Sequence, residues 1–146
     1  MTMKKYAWLG IAGLLVPMTL ATPNPVYAHK PEVDVKPRIV LPGSGRAIDF
    51  PGQPTTVLLD GHATKGDVAI IEYALAPHSF GALPHVHHNE DEYFYVLEGE
   101  IHFLNDKETV AAPAGTFAAM TRGHLHAFWN ASDRPARLLV AIAPGE

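Results

Sequence analysis

The sequence predicts an all-β domain, a sandwich or small barrel, and three observations support this. After residue 28, no window keeps a 3.6-residue apolar period over a dozen residues, so helix is a minor component at most. Short segments rich in β-branched and aromatic residues follow one another closely, and turn-forming residues separate them. Strands this short and numerous in roughly 100 residues make a sandwich or barrel.

The elements can be justified in chain order. Lys4 and Lys5 precede an apolar run from Tyr6 to Leu20, and Val26-Tyr27-Ala28 is a small-x-small cleavage pattern. Residues 1–28 are therefore expected to be a signal peptide, with a periplasmic or secreted mature chain. A membrane anchor is disfavoured because about 20 apolar residues are needed to cross a bilayer and Pro17 interrupts this run. Prolines 31, 37 and 42 and Gly43 then imply an extended arm over residues 29–44, which either is disordered or lies along a neighbouring subunit. The barrel domain is expected over residues 45–146. Its strands are expected at Ala47 to Phe50, Thr55 to Asp60, Asp67 to Ala76, Glu92 to Gly99, Glu100 to Asp106, Glu108 to Ala112, Thr116 to Thr121, His126 to Asn130 and Ala136 to Ala143. "LEGE" at 97–100 and "NDK" at 105–107 are expected to be tight hairpin turns.

Composition narrows the function. With no cysteine, disulfides, thiolate metal sites and a cysteine nucleophile are excluded. Cleavage after Ala28 leaves 9 basic and 15 acidic side chains, formally −6, a balance that disfavours nucleic acid and anionic membranes as partners. A small molecule is the expected partner.

"HVHHNEDEYFYVLEG" (His85 to Gly99) sets three histidines and three acids ahead of an aromatic strand. Strand parity would put His85 and His87 on one face, about 7 Å apart. It also puts Glu92, Phe94 and Val96 on one face and Tyr93, Tyr95 and Leu97 on the other. A glutamate that opens an inward apolar stripe is costly to bury, and a cation is one of the few partners that offsets the cost. Read alone, "HHNEDE" is more often a solvated polar loop leading into a strand than a metal site. A second window, Gly115 to Asn130, adds His124 and His126 before another aromatic strand, so five of the nine histidines fall in two short stretches.

These residues resemble the two motifs of the cupin superfamily, small β-barrels with a metal in the mouth. The first motif is matched by His85, His87, Glu92 and Gly99 at full spacing; its leading glycine is displaced, with Ser79 in that place and Gly81 two residues later. The second is matched by Gly115, Gly123, His126 and Asn130, with Thr121 in place of a proline. The resemblance covers roughly residues 57–143. It implies a single cupin barrel (a double-stranded β-helix, or jelly roll), with His85, His87, Glu92 and His126 as metal ligands. Phe94, Val96, Ile101, Phe103, Met120 and Phe128 are then expected to line an apolar pocket. His88 and His124 are expected outside the ligand set.

Three imidazoles and one carboxylate suit one divalent transition ion, Cu, Zn, Mn, Ni or Fe, rather than Ca or Mg. Among cupins with this set, the small members look most like quercetin dioxygenases. That likeness implies an enolic or phenolic substrate, with Glu92 as both ligand and catalytic base. The alternative is a non-enzymatic module that captures a metal or small ligand. An isomerase or epimerase ranks lower, since the basic residues of the matched region, Lys65, Lys107, Arg122, Arg134 and Arg137, fall mostly in apparent turns. "APGE" at the carboxyl end leaves no room for lid helices, so an open mouth is expected. Pairing through barrel faces and arms makes a homodimer the expected assembly.

Overall fold

The computed structural model describes residues 36–50 and 53–145. The expected signal peptide and residues 29–35 of the arm lie outside them. Lys36 to Ser44 forms neither helix nor strand, as the prolines require, and turns once where Ser44 N and Oγ donate to Leu41 O.

Ten strands follow: β1 (Arg46–Phe50), β2 (Gln53–Leu59), β3 (Ala69–Leu75), β4 (Ser79–His85), β5 (Asp91–Glu98), β6 (Glu100–Asn105), β7 (Glu108–Pro113), β8 (Phe117–Met120), β9 (His126–Asn130) and β10 (Ala136–Ala143). Among the described residues, one four-residue 3-10 turn, Gly61–Thr64, is capped by the Asp60 carboxylate and is the helical content. No helix among them is long and apolar enough to cross a membrane.

The strands form two antiparallel sheets, ordered β1-β2-β3-β10-β5-β8 and β4-β9-β6-β7. Each sheet turns one face to the other, and the side chains between them make the core. Phe94 from the first sheet meets Phe103 and Phe128 from the second, at centroid distances of 5.2 and 5.1 Å. Val96, Ile101, Leu138 and Val140 complete this layer at 0–1% exposure. Burying each such side chain contributes about 1.5–3 kcal/mol.

All nine expected strands are present, and two local expectations are corrected. β4 is a strand beyond the nine expected, and its segment carries both Gly81 and Pro84. The strand forms at the edge of its sheet, where a proline costs no ladder bond, and its pairing with β9 shifts register on either side of Ala82. "NDK" is a hairpin, with Asn105 paired to Glu108. "LEGE" is not: β5 and β6 belong to different sheets, so Gly99 turns a corner between layers. Its φ of +75° suits glycine, and a Cβ there would lie 2.8 Å from Pro135 O.

Candidate metal centre

β5 lies between β10 and β8, with Glu92 opposite Ile142 and Met120. The alternation expected for this strand holds: Glu92, Phe94 and Val96 are buried, and Glu92 starts the inward stripe at the sheet's end. β9 lies between β4 and β6, with His126 opposite His85 and Asn105. Glu92 and His126 therefore stand on facing sheets at the same end of the core, at 8% and 1% exposure.

His85 is the last residue of β4 and His87 lies in the following loop. The two imidazoles converge because the chain leaves the strand between them, rather than through curvature of one strand. Their Nε2 atoms are 3.0 Å apart. His87 Nε2 is 3.6 Å from Glu92 Oε1, and His126 Nε2 is 3.3 Å from Glu92 Oε2. One ligand atom from each of the four residues lies within 4.8 Å of every other.

The outer side of each ring shows what this cluster needs. His85 Nδ1 is 2.7 Å from Leu83 O and His126 Nδ1 is 3.1 Å from His124 O. A carbonyl can only accept, so both Nδ1 atoms donate, and the neutral rings turn Nε2 lone pairs inward. His87 Nδ1 faces Glu90 Oε2 at 3.3 Å, which favours the same tautomer. Three lone pairs and a carboxylate then point at one another, an arrangement that a proton or a cation must bridge. With a proton as the bridge, the Glu92 carboxylate raises the pKa of His126 above the ordinary imidazole value, against the opposing effect of desolvation. The N3O set and the outer hydrogen bonds fit a transition ion.

The three acids of "NEDE" go three ways. Glu92 points inward, and Glu90 backs His87. Asp91 accepts from Arg122 backbone N, Nε and Nη2 at 2.8, 3.0 and 2.9 Å, contacts that hold its carboxyl well below the usual range. The Asp91 clamp ties the 121–125 loop to β5. Gly123 N donates to His87 O at 2.8 Å, tying that loop to the His87 loop. Asp106 fastens its far end, facing His124 Nδ1 at 2.9 Å and accepting from Leu125 N. His124 thus contributes its carbonyl to the site while its ring pairs with Asp106, and His88 is exposed. Sequence reasoning did not single out Glu90; its place three residues after His87 was the available signal.

Of the side chains expected to line a pocket, Phe94, Val96, Ile101 and Phe128 are packed as solid core at 0–3% exposure. Phe103 and Met120 border a cavity of about 220 Å³. Asn130 is fully buried; its Nδ2 donates to Leu75 O, Ala76 O and Arg134 O, and its Oδ1 accepts from Ser132, which makes it a fold anchor.

Residues 71–142 match the family model described as a cupin domain. The chain belongs to the cupin superfamily. Its two sheets superpose on solved members of the fold. KdgF from Halomonas sp. is 14% identical, with a TM-score of 0.67, covering 76% of this chain and 96% of its own. A predicted oxalate decarboxylase from Thermotoga maritima is 21% identical, with a TM-score of 0.67 and coverage of 73% and 98%. The polyketide cyclase RemF from Streptomyces resistomycificus is 22% identical, with a TM-score of 0.64 and coverage of 75% and 80%. At these identities the likeness shows the cupin fold. No curated protein matches the chain.

Proposed function

We propose that this cupin is exported to the periplasm or beyond, holds one divalent transition ion (Cu, Zn, Mn, Ni or Fe) on His85, His87, Glu92 and His126, and acts as a dioxygenase on a small enolic or phenolic molecule. The observation that supports the metal is the set of inward lone pairs: three Nε2 atoms and a carboxylate within 4.8 Å, two of the imidazoles held in the ligating tautomer by backbone carbonyls. When bound, the ion supplies Lewis acidity and open positions for an anionic oxygen and O2.

The protein's own groups do the rest. Glu92 is the base: its carboxylate faces His87 through Oε1 and His126 through Oε2, so a substrate hydroxyl proton taken at either oxygen stays beside an imidazole. Phe94 and Met120, next to Glu92 on the inner face of the sheet, keep its inner side dry. Elemental analysis of protein from its native compartment, beside His85→Ala, tests the metal. O2 consumption over flavonols, catechols and diketones tests the reaction. A Glu92→Gln protein with full oxygenase activity refutes the role of Glu92.

One observation favours a second reading, a binding module without turnover: His85 and His87 are only half-buried, so the centre is open to solvent. A tightly held ion with no O2 consumption across that panel supports it. A homodimer completes the proposal, since Ile39 and Leu41 of the arm are 89% and 66% exposed and a second copy would cover them. Light scattering of the mature chain checks this.

A further inference from the structure

β7 and β8 are edge strands of different sheets, and no ladder joins them. Between them lies the cavity of about 220 Å³. One wall is Phe103, Val110 and Ala112 from the β4-β9-β6-β7 sheet, and the other is Ala118 and Met120 from the facing sheet. Ala112 and Ala118 keep the seam from filling, because neither methyl reaches across the space between the sheets. Val110, on the edge strand β7 opposite Phe103, and Phe117, on β8, border it at 51% and 63% exposure. Its inner end adjoins the metal centre: Met120 is the cross-strand partner of Glu92, and Asn105 is that of His126.

Apart from the Asn105 amide and the Thr116 hydroxyl, the lining side chains are apolar, and none is charged. Such a wall takes a neutral hydrocarbon body; Glu92 and His126 do not line the cavity but lie beside its Met120 and Asn105, so an ionisable oxygen is placed best at that end. Size narrows the class further. Since a cavity of about 150 Å³ takes benzene, this one takes a single ring with a few substituent atoms, whereas the three rings of a flavonol overfill it.

We propose that this seam is the substrate-binding site, and that it takes a monocyclic phenol or enol with its ring between Ala112 and Ala118 and its acidic oxygen toward Glu92. The inference rests on the metal reading for the oxygen end and on the cavity alone for the ring.

The test uses the mature protein, metal-free and zinc-loaded, with 13C-labelled alanine and methionine methyls, titrated with 4-methylcatechol and separately with quercetin. The Ala112, Ala118 and Met120 methyls are expected to shift with 4-methylcatechol and to stay unmoved with quercetin. Ala118→Leu, which fills the seam from inside, and Val110→Trp, which blocks its exposed mouth without touching the core, are each expected to weaken 4-methylcatechol binding at least tenfold while zinc content stays the same. Unmoved methyls in a protein that holds zinc overturn the proposal and leave the metal reading intact. Equal affinity in both variants also overturns it, and so does quercetin shifting the same methyls. Methyl shifts in a chain that binds no zinc support the seam and refute the metal reading instead.

Discussion

Gly81 stands two residues after the place the first motif gives to its leading glycine, and replacing it tests how the core supports the site. It sits where the β4–β9 register slips, and the ring of Phe128 lies over its α-carbon. In Gly81→Ala the added methyl would fall inside contact distance of Phe128 Cδ2 and Cε2 and 2.6 Å from Cζ. Ordinary carbon contacts are about 3.5–4.0 Å, so the ring must retreat by roughly 1 Å or more. It has nowhere to go: Phe128 is 3% exposed and is boxed by Tyr73, Phe94 and Phe103 at 5.7, 5.1 and 6.3 Å. Overpacking of this kind costs about 1–3 kcal/mol. For a domain near 100 residues that lowers Tm by about 4–12 °C. Phe128 is two residues from His126 on the same face, so metal affinity is expected to fall as well. Thermal unfolding of Gly81→Ala, Phe128→Leu and the double variant is the assay. Leucine is smaller than the native ring and relieves the clash, so the double variant is expected to be more stable than additivity allows, by about 0.5–3 kcal/mol. A Gly81→Ala protein that melts with the parent, or a strictly additive pair, refutes the reasoning.

Three further outcomes follow from the site. Glu90→Gln is expected to lower metal affinity by about 10–100-fold, the usual effect of losing an outer carboxylate, with metal-free Tm unchanged; titration calorimetry measures it, and unaltered affinity shows that Glu90 does not support His87. Ligating imidazoles must be neutral, so metal affinity is expected to fall with pH, beginning above the ordinary imidazole value of about 6.5 because Glu92 raises His126. In the metal-free protein that raised pKa acts oppositely: its stabilisation is full below about pH 6.5 and is lost as pH rises through the folded value. The Tm gain on adding metal is therefore expected to be larger at pH 8 than at pH 6, and a gain independent of pH contradicts the shared cluster. Asp91, held low by Arg122, contributes stability above its unfolded value of about 3.9 that is lost as pH falls through the depressed folded value. Asp91→Asn is expected to remove that part of the acid sensitivity and to loosen the 121–125 loop, read by amide exchange at Gly123 and Leu125.

The strands legible in the sequence are those whose pattern is local. β5 alternates fully buried residues with more open ones from Asp91 to Val96, and β6 does the same through Ile101 and Phe103, so parity alone orients Glu92 inward. β4 carries Gly81 and Pro84, which break strands in general, and only an edge position beside Phe128 makes both acceptable. Gly99 marked the break between β5 and β6, but not its kind, because a turn residue carries no information about which sheet receives the next strand.

By itself, the sequence determined the β class, the two histidine windows and the four side chains whose spacing marks a cupin centre, because each depends on periodicity or on intervals within one short segment. Only the tertiary structure decided that Glu90, Asp91 and Glu92 face three different partners, that two ring tautomers are held by the carbonyls of Leu83 and His124, and that a seam opens between β7 and β8. Those outcomes depend on which strands become neighbours across two sheets, and that choice is made by burial of the whole interior rather than by any run of residues along the chain.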